Sequence, residues 1–417
     1  MLGEATARYT VLLKQIIPVA ALVALAAMID YELPATAHGL RIVLTVACAV
    51  ATVLGCAYTL FSGLLVGPYF RRPIAALSEY PAVTVLRPLH GHEHALLENL
   101  SSFYRQDYPA PVQFVFGVHS QDDPALQIVE ALRSLHPDMD LTVIIDPQLH
   151  GPNRKISNIL NMLPNAKHDV LVFADSDVAA APDSLSKIVA SLHEPGVGLV
   201  SCLYRGQADP GFWPSVSAAA SNYHFMPGVV TGLTLRLARP CLGPTIAMRR
   251  ETLLKIGGLT PFAQHLAEDH AIGEAVRALS EQVALPSVLI SHACVEPTFR
   301  SFFLHKLRAG RTIRGITPMG YLGSVITHPL PLAMATAWLA GAAPWSLGLL
   351  LVALAVRFAL GINAERAMGR RFGELWALPI CDLVLFLAFV ASFSSRNVVW
   401  RGYHFQADGN GHMTPAE

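Results

Sequence analysis

Two carboxylates separated by one residue follow a short apolar run near the middle of the chain. The run, residues 170–173, is rich in β-branched residues, which is typical of a strand buried on both faces. It leads into Asp175-Ser176-Asp177. In an open α/β sheet, ligands bind beyond the carboxyl ends of the strands. Mg²⁺ typically takes one or two protein carboxylates and completes its shell with water and substrate phosphates. The pattern therefore predicts a metal–diphosphate site for a nucleotide-activated group.

The same residues also fit a structural role. Asp177 or Asp183 could cap the next helix from a solvated turn. Because a lone DxD motif is a weak signal, the residues alone leave both interpretations open.

A second acidic pair, Glu268-Asp269, opens a predicted helix that runs to about residue 279. Acidic residues at a helix N-terminus offset the helix dipole, which is the structural explanation for the pair. The functional explanation is that one of them is a general base at the open end of the sheet, near a sugar donor.

Basic residues precede the DxD strand in a loop that begins with glycine and proline. Residues 151–158 read GPNRKISN, so Arg154 and Lys155 place positive charge near the expected diphosphate, although a plain helix start has the same appearance. The alternating histidines of residues 90–94 lie in a polar loop without a visible partner cluster, and we do not predict a metal site there. Neither a Walker motif nor GxGxxG is present, which disfavours P-loop and dinucleotide-binding folds.

Short strands alternate with helices through the central region, about residues 81–320. We predict strands at residues 82–86, 112–118, 141–145, 170–173 and 198–203, and helices at 98–104, 124–135, 251–256 and 266–279. This alternation predicts a doubly wound, mostly parallel sheet.

The composition is too apolar for an ordinary soluble protein. Of the 417 residues, 53% are hydrophobic and 14% are charged. The net charge is zero, which gives no indication of a nucleic-acid partner. Six cysteines are scattered without a CxxC pair, so neither a disulfide framework nor a zinc site is indicated.

The apolar excess is concentrated at the two ends of the chain. Stretches near 20 residues can cross a bilayer, and the candidates are residues 11–29, 40–66, 322–343, 345–360 and 375–393. We therefore divide the chain into two N-terminal membrane helices (1–72), a catalytic domain (73–320), two or three C-terminal membrane segments (321–395) and a tail (396–417).

Lysine and arginine mark the cytoplasmic side of a membrane protein. Arg71 and Arg72 follow the second apolar stretch, and three more arginines lie in residues 361–374. The N-terminus, the catalytic domain and that loop are therefore expected in the cytoplasm. The basic tail favours the same side, which five full crossings would not allow, so one C-terminal segment is expected to be re-entrant or interfacial. Asp382 inside the last stretch should face protein or water.

Residues 299–314, FRSFFLHKLRAGRTIR, place basic residues at helical spacing beside an apolar face. Such a helix could lie on the membrane surface, close over the phosphates, or do both.

With these pieces in order, the chain resembles the membrane-bound family 2 and family 21 glycosyltransferases. The resemblance covers about residues 83–321, with a tail-like match at 396–402. It is carried by the strings TVLRPLHGHE, LLENLSSFYRQDYP, HGPNRKISNILNMLP, HDVLVFADSDV, GLVSCLYRG, RPCLGPTIAMRRETLLKIGG and HLAEDHAIGEAVRAL. It implies a GT-A catalytic domain flanked by N- and C-terminal transmembrane helices. The nearest likenesses are ceramide glucosyltransferases and bacterial hopanoid-biosynthesis-associated glycosyltransferases.

The resemblance also implies roles for particular residues. Asp175 matches the family's metal- and nucleotide-diphosphate-binding aspartate, and Asp177 completes the DxD motif. Asp269 matches the aspartate taken as the catalytic base. Lys155 and Asn158 match a basic and amide pair near the donor. The implied cofactor is Mg²⁺ or Mn²⁺.

Three of the family's positions differ in this chain. Ser120 stands where a nucleotide-holding aspartate is usual, and the nearest carboxylates are Asp122 and Asp123, of which we take Asp122 as donor-binding. In the family's (Q/R)xxRW motif, Arg308 matches the arginine, His305 holds the first position and Ala309 replaces the tryptophan; we place His305 and Arg308 with the donor.

We therefore predict inverting, metal-dependent transfer from a UDP-sugar to a hydroxyl of a membrane lipid, by a multi-pass protein of the bacterial inner membrane. The whole-string likeness favours a hopanoid acceptor, with UDP-N-acetylglucosamine as donor, over ceramide with UDP-glucose. The alternatives are a processive polysaccharide synthase, which the few membrane segments disfavour, and a non-catalytic relative that binds lipid or nucleotide.

Overall fold

The computed structural model describes residues 34–91, 93, 95–371, 373–395, 397–400, 403–407 and 413–415. The predicted first membrane segment, residues 11–29, lies outside the described residues.

Helices and strands alternate through the described chain. The helices are α1 (Pro34–Phe70), α2 (Leu96–Tyr104), α3 (Ala125–Leu135), α4 (Arg154–Met162), α5 (Ser184–Leu192), α6 (Phe212–Ala220), α7 (Met226–Thr234), α8 (Arg250–Lys255), α9 (Glu268–Ala278), α10 (Phe299–Ile316), α11 (Pro318–Gly323), α12 (Pro329–Leu339), α13 (Pro344–Ala367) and α14 (Leu378–Ser392). The strands are β1 (Val83–Pro88), β2 (Val112–Val118), β3 (Asp140–Ile145), β4 (Val170–Ala174), β5 (Val178–Ala179), β6 (Val197–Ser201), β7 (Leu203–Ala208), β8 (Thr245–Arg249), β9 (Gln282–Ala284), β10 (Leu289–Cys294), β11 (Asn397–Trp400), β12 (Tyr403–Ala407) and β13 (Met413–Pro415).

The main sheet has seven strands in the order β3-β2-β1-β4-β8-β6-β9. Strands β3, β2, β1 and β4 are mutually parallel, with Val85 of β1 opposite Phe114 of β2 and Val172 of β4. Strand β8 runs antiparallel to both β4 and β6, and β6 pairs in parallel with β9. The predicted doubly wound, mostly parallel sheet is confirmed, with β8 as the one reversed strand.

Helices cover both faces of this sheet, as burial of every central strand requires. One face packs against α2, α3 and α5 through residues such as Leu100, Val129 and Ile188. The other face packs against α4 and α9, for example through Ile159 and Val276.

A three-stranded sheet, β5-β10-β7, branches from the point where β4 ends. Strand β5 begins directly after Asp177, and its Val178 pairs with His292 of β10. The branch therefore carries residues of β10 to the DxD motif.

The described residues contain three helices that are long and apolar enough to cross a membrane by length and composition: His38–Phe70, Pro344–Ala367 and Leu375–Ser392. The predicted stretch 322–343 does not form one helix, because Pro329 and Pro331 begin a new one, and α12 is a shorter apolar helix. Asp382 faces protein as expected: Arg357 donates to both of its oxygens, at 2.6 and 2.7 Å.

Candidate functional site

Hydrogen bonds from Arg87 and Asn99 to main-chain carbonyls hold the DxD motif in place. Arg87 at the end of β1 is completely buried, and its Nη2 donates to the carbonyl of Asp175 at 2.6 Å and to that of Val178 at 2.9 Å. Asn99 on α2 donates to the carbonyl of Ser176 at 3.2 Å. These bonds use main-chain acceptors, so the two carboxylate groups of the motif stay available for other partners.

Lys155 joins the DxD motif to the second acidic pair. Its Nζ lies 2.7 Å from Oδ1 of Asp175 and 3.3 Å from Oε1 of Glu268. Burial alone would lower the pKa of Lys155, but the charges of Asp175 and Glu268 outweigh it, so the pKa is raised and the side chain stays protonated. We call Lys155, Asp175, Glu268 and Asp269 the Lys155 cluster.

Helix capping explains why Lys155 points into this cluster. Asn153 caps α4 by accepting from the N–H of Ile156 at 3.1 Å, which places Lys155 in the first turn. The amide of Asn153 also donates to Oε2 of Glu268 at 3.2 Å. One residue therefore sets both the start of α4 and the orientation of Glu268.

Asp269 has the protonation behaviour that a general base requires. Its Oδ2 accepts from the N–H of Gly243 at 2.9 Å, and its Oδ1 accepts from the N–H of His270 at 2.7 Å. Burial, followed by the like charge of Glu268, raises the pKa of Asp269 to about 7, against the opposing effect of those hydrogen bonds and of Lys155. A carboxylate with a pKa near the working pH is suited to proton transfer.

Asp177 keeps one oxygen available. Its Oδ2 lies 3.3 Å from Nε2 of His292, whereas its Oδ1 is buried and accepts no hydrogen bond within the described part of the chain. Burial alone would raise the pKa of Asp177, but the charge and hydrogen bond of His292 outweigh it and lower the pKa. An ionised carboxylate with a buried, unpaired oxygen fits a cation ligand.

Protein side chains alone do not complete a metal site here. Among residues 34–91, 93, 95–371 and the later described segments, no group of three or more His, Cys, Asp and Glu could hold a metal ion. Two carboxylates with substrate phosphates remain sufficient for Mg²⁺.

Asn158 and Asp122, the next two predicted donor-binding residues, lie outside the Lys155 cluster. Asn158 is buried on α4, and its amide donates to the carbonyl of Gly117 at 2.8 Å. Asp122 is exposed, whereas the neighbouring Asp123 is buried and accepts from the N–H groups of Gly91 and Ala125 at 2.9 and 3.0 Å. The donor-binding roles of Asn158 and Asp122 stay predictions.

Helix α10 contains His305 and Arg308, the residues at the (Q/R)xxRW positions. His305 pairs through Nδ1 with Glu296, which lies just after β10, and Arg308 follows one turn later in a half-buried position. Burial alone would raise the pKa of Glu296, but the hydrogen bond from His305 outweighs it and lowers the pKa to about 2. Their donor-binding role also stays a prediction.

Sequence reasoning missed His292 and Asn153. Only the pairing of β5 with β10 brings His292 to Asp177, and no local pattern signals it. Asn153 could have been found as the capping residue before a helix.

The model for Glycosyl transferase family 21 matches residues 43–413. The chain belongs to glycosyl transferase family 21. The mixed sheet and family membership agree with the predicted GT-A fold class.

Curated proteins similar to this family 21 chain are ceramide glucosyltransferases. Ceramide glucosyltransferase 1 of Caenorhabditis elegans is 23% identical over 239 residues, covering 56% of this chain and 49% of that protein. The ceramide glucosyltransferase of Candida albicans is 30% identical over 125 residues, covering 27% of this chain and 23% of that protein. The chain thus spans half or less of the curated relatives that it matches.

Among solved structures, a mannosyltransferase from Pyrobaculum calidifontis in complex with GDP-Man and Mn²⁺ is similar. It is 22% identical, with a TM-score of 0.48, and the alignment covers 84% of this chain and 99% of that one.

Proposed function

We propose that this protein transfers a sugar from a UDP-sugar to a hydroxyl of a membrane lipid, with inversion at the anomeric carbon. The observation that carries the proposal is the Lys155 cluster. It links a candidate diphosphate site, at Asp175, to a carboxylate whose pKa is raised to about 7, at Asp269. Glycosyl transfer needs these two functions side by side: stabilisation of the leaving diphosphate and removal of a proton from the acceptor.

Each residue of the cluster has a distinct part in this reaction. Asp269 accepts the proton of the acceptor hydroxyl as that oxygen forms its bond to the anomeric carbon. The bond from the anomeric carbon to the diphosphate breaks, and its electron pair leaves with the diphosphate. Lys155 places a positive charge at the leaving group. A single displacement inverts the anomeric configuration and forms no covalent sugar–enzyme intermediate.

Asp175 and Asp177 would hold Mg²⁺ or Mn²⁺. The unpaired, buried Oδ1 of Asp177 supports this assignment. When bound, the metal ion neutralises part of the charge that develops on the leaving diphosphate.

The proposed acceptor is a lipid because three apolar helices of membrane-spanning length belong to the same chain as the cluster. The similar proteins named ceramide glucosyltransferases favour a lipid with a primary hydroxyl, such as ceramide with UDP-glucose. A hopanoid polyol, with UDP-N-acetylglucosamine as donor, also offers a hydroxyl as the reacting group. Both pairs belong in the first assay.

The direct test is a donor and acceptor panel with the full chain in nanodiscs and Mn²⁺ or Mg²⁺. UDP release is measured and lipid products are identified by mass spectrometry. We expect one UDP-sugar to yield one monoglycosylated lipid. A polymeric product would instead identify a processive synthase, and donor binding without UDP release across the panel would favour a non-catalytic relative.

The metal assignment is tested by binding rather than turnover. Titration of Mn²⁺ in the presence of UDP, followed by the loss of free-ion electron paramagnetic resonance signal, should give saturable binding that Asp177→Asn weakens. Asp183→Asn is the matched control, because Asp183 lies nearby, is exposed and pairs with Lys187 at 2.5 Å. Equal Mn²⁺ binding by both variants would contradict the assignment.

A further inference from the structure

A long uncharged run lies inside the domain predicted at residues 73–320. Residues 210–235 contain no Asp, Glu, Lys or Arg. They fold into α6, a π-helical turn at Ser221–Phe225, and α7. Much of this segment packs in one apolar cluster with α1, α10 and α14 rather than in the core of the main sheet.

Hydrogen bonds place this segment beside the membrane helices, not beyond their ends. Thr231 of α7 donates to Oγ of Ser62 in α1 at 2.8 Å. Ser62 precedes the end of α1 at Phe70 by about 12 Å of helix rise. Arg357 of α13 donates to the carbonyl of Tyr223 at 3.1 Å. Helix α7 therefore lies at the level of the candidate spanning helices.

The chain leaves α7 through a short loop that exposes both apolar and basic side chains. We call residues 235–239, Leu-Arg-Leu-Ala-Arg, the LRLAR loop. Leu235 is 40% exposed and Leu237 is 74% exposed. The side chain of Arg239 is 72% exposed, and its Nη1 lies 3.9 Å from Oε2 of Glu274. Arg236 has a left-handed φ of 57°, so the loop turns sharply there.

The LRLAR loop is joined to the proposed catalytic base. Nη2 of Arg277 on α9 donates to the carbonyls of Arg239 and Pro240, both at 3.1 Å. Three residues after Pro240, Gly243 donates its N–H to Asp269. The position of the loop is therefore coupled to the position of the base through a few residues.

We propose that the LRLAR loop rests on the bilayer surface, with its leucines at the acyl boundary and its arginines at acidic lipid headgroups. Exposed leucines flanked by basic side chains suit this boundary, where apolar groups enter the lipid and cations reach phosphates. The bilayer is the expected occupant because the loop continues directly from a helix packed against α1. Its role is to hold the mouth of the site at the surface from which a lipid acceptor would enter.

The test does not depend on which sugar is transferred, or on transfer at all. A spin label is attached at Leu237→Cys in the full chain, in nanodiscs of phosphatidylcholine with phosphatidylglycerol. Its accessibility to oxygen, which concentrates in lipid, is compared with that to a water-soluble nickel chelate. Leu254→Cys is the matched control, because Leu254 is 70% exposed on α8, which follows the end of β8 beside Val170 at the start of β4. Spin labelling of the native cysteines is measured on the parent chain as the background, and the described cysteines are buried or half-buried.

We expect oxygen accessibility to exceed chelate accessibility at residue 237 and the reverse at residue 254. Arg236→Glu should shift the label at residue 237 towards the chelate. A label at residue 237 that behaves like the one at residue 254 would overturn the proposal. So would a label that neither reagent reaches, which would indicate contact with protein, such as a second copy of the chain.

Discussion

At the scale of single residues, Asp269 is the side chain on which turnover should depend most. Asp269→Asn keeps the size of the side chain but removes its capacity to accept a proton. We expect kcat to fall by about 100- to 10,000-fold, the usual contribution of general base catalysis, with little change in the KM for the donor. Asp140→Asn is the control, since Asp140 lies on the edge strand β3 and pairs with Lys167 at 2.7 Å at the surface.

The raised pKa of Asp269 predicts a pH dependence. Because the base must be ionised, kcat/KM should fall about tenfold per pH unit below an apparent pKa near 7. Glu268 raises this pKa through its like charge, so Glu268→Gln should lower the pKa and extend activity to more acidic pH. The measurement is the pH profile of kcat/KM for the parent protein and for the Glu268→Gln variant. An acid limb that does not move, or that moves to higher pH, would contradict this electrostatic coupling.

Local patterns predicted the residues of the Lys155 cluster but not how they meet. The strand before Asp175, the loop before Lys155 and the helix start at Glu268 are each readable from the sequence. The ion pairs of Lys155 with Asp175 and Glu268 depend on tertiary packing. No local sequence pattern indicates that His292 belongs to the site, because it reaches Asp177 through a strand pairing between distant parts of the chain.

At the scale of elements, α10 has a defined start that can be tested. Thr298 caps it by accepting from the N–H of Ser301 at 3.1 Å, and Ser301 accepts from the N–H of Thr298 at 3.1 Å. Loss of such a cap typically costs about 1 kcal/mol, so Thr298→Ala should increase hydrogen exchange in the first turn of α10 by about fivefold. Thr312→Ala is the control, because the hydroxyl of Thr312 donates to the carbonyl of Arg308 within the same helix, away from its first turn. Equal exchange in the two variants would show that the cap does not hold the helix start.

Elements with a regular local pattern were predicted well, and those defined by context were not. The predicted strand at 112–118 has the observed bounds of β2. The reversed direction of β8 has no local signature, because it depends on which neighbouring strands β8 joins. The packing of residues 210–235 against α1, α10 and α14 has no sequence signature, because apolar helices within a central domain resemble core helices until their packing partners are known.

At the scale of the whole molecule, one of three large apolar clusters joins the candidate spanning helices to the rest of the chain. Two clusters lie on the two faces of the main sheet. The third gathers α6 and α7 with α1, α10 and α14. Helix α10 therefore packs on both the candidate spanning helices and the chain that follows β10. This cluster therefore brings α1 and α14, which flank the site in the sequence, into one packed structure.

The ion pair of Arg357 and Asp382 joins two of the candidate spanning helices, α13 and α14. Both side chains are almost completely buried and form two hydrogen bonds, at 2.6 and 2.7 Å. Removing one partner leaves an uncompensated buried charge, so Asp382→Asn should destabilise the protein by about 3–5 kcal/mol. The readout is thermal unfolding in nanodiscs, with Asp140→Asn as the control, because Asp140 pairs with Lys167 at the surface, where such pairs contribute little.

A double variant separates the cost of an unpaired charge from the value of the pair. Replacing both partners with apolar residues of similar size, as in Arg357→Met with Asp382→Leu, removes the buried charges together. We expect the double variant to recover most of the stability that either single variant loses, because apolar replacements of buried pairs are often neutral or stabilising. The same hydrogen-bonded arginine also donates to the carbonyl of Tyr223 in the π-helical turn. The double variant could instead be as unstable as the single variants. The pair would then be required to hold the π-helical turn against the candidate spanning helices, and charge compensation alone would not explain its contribution to stability.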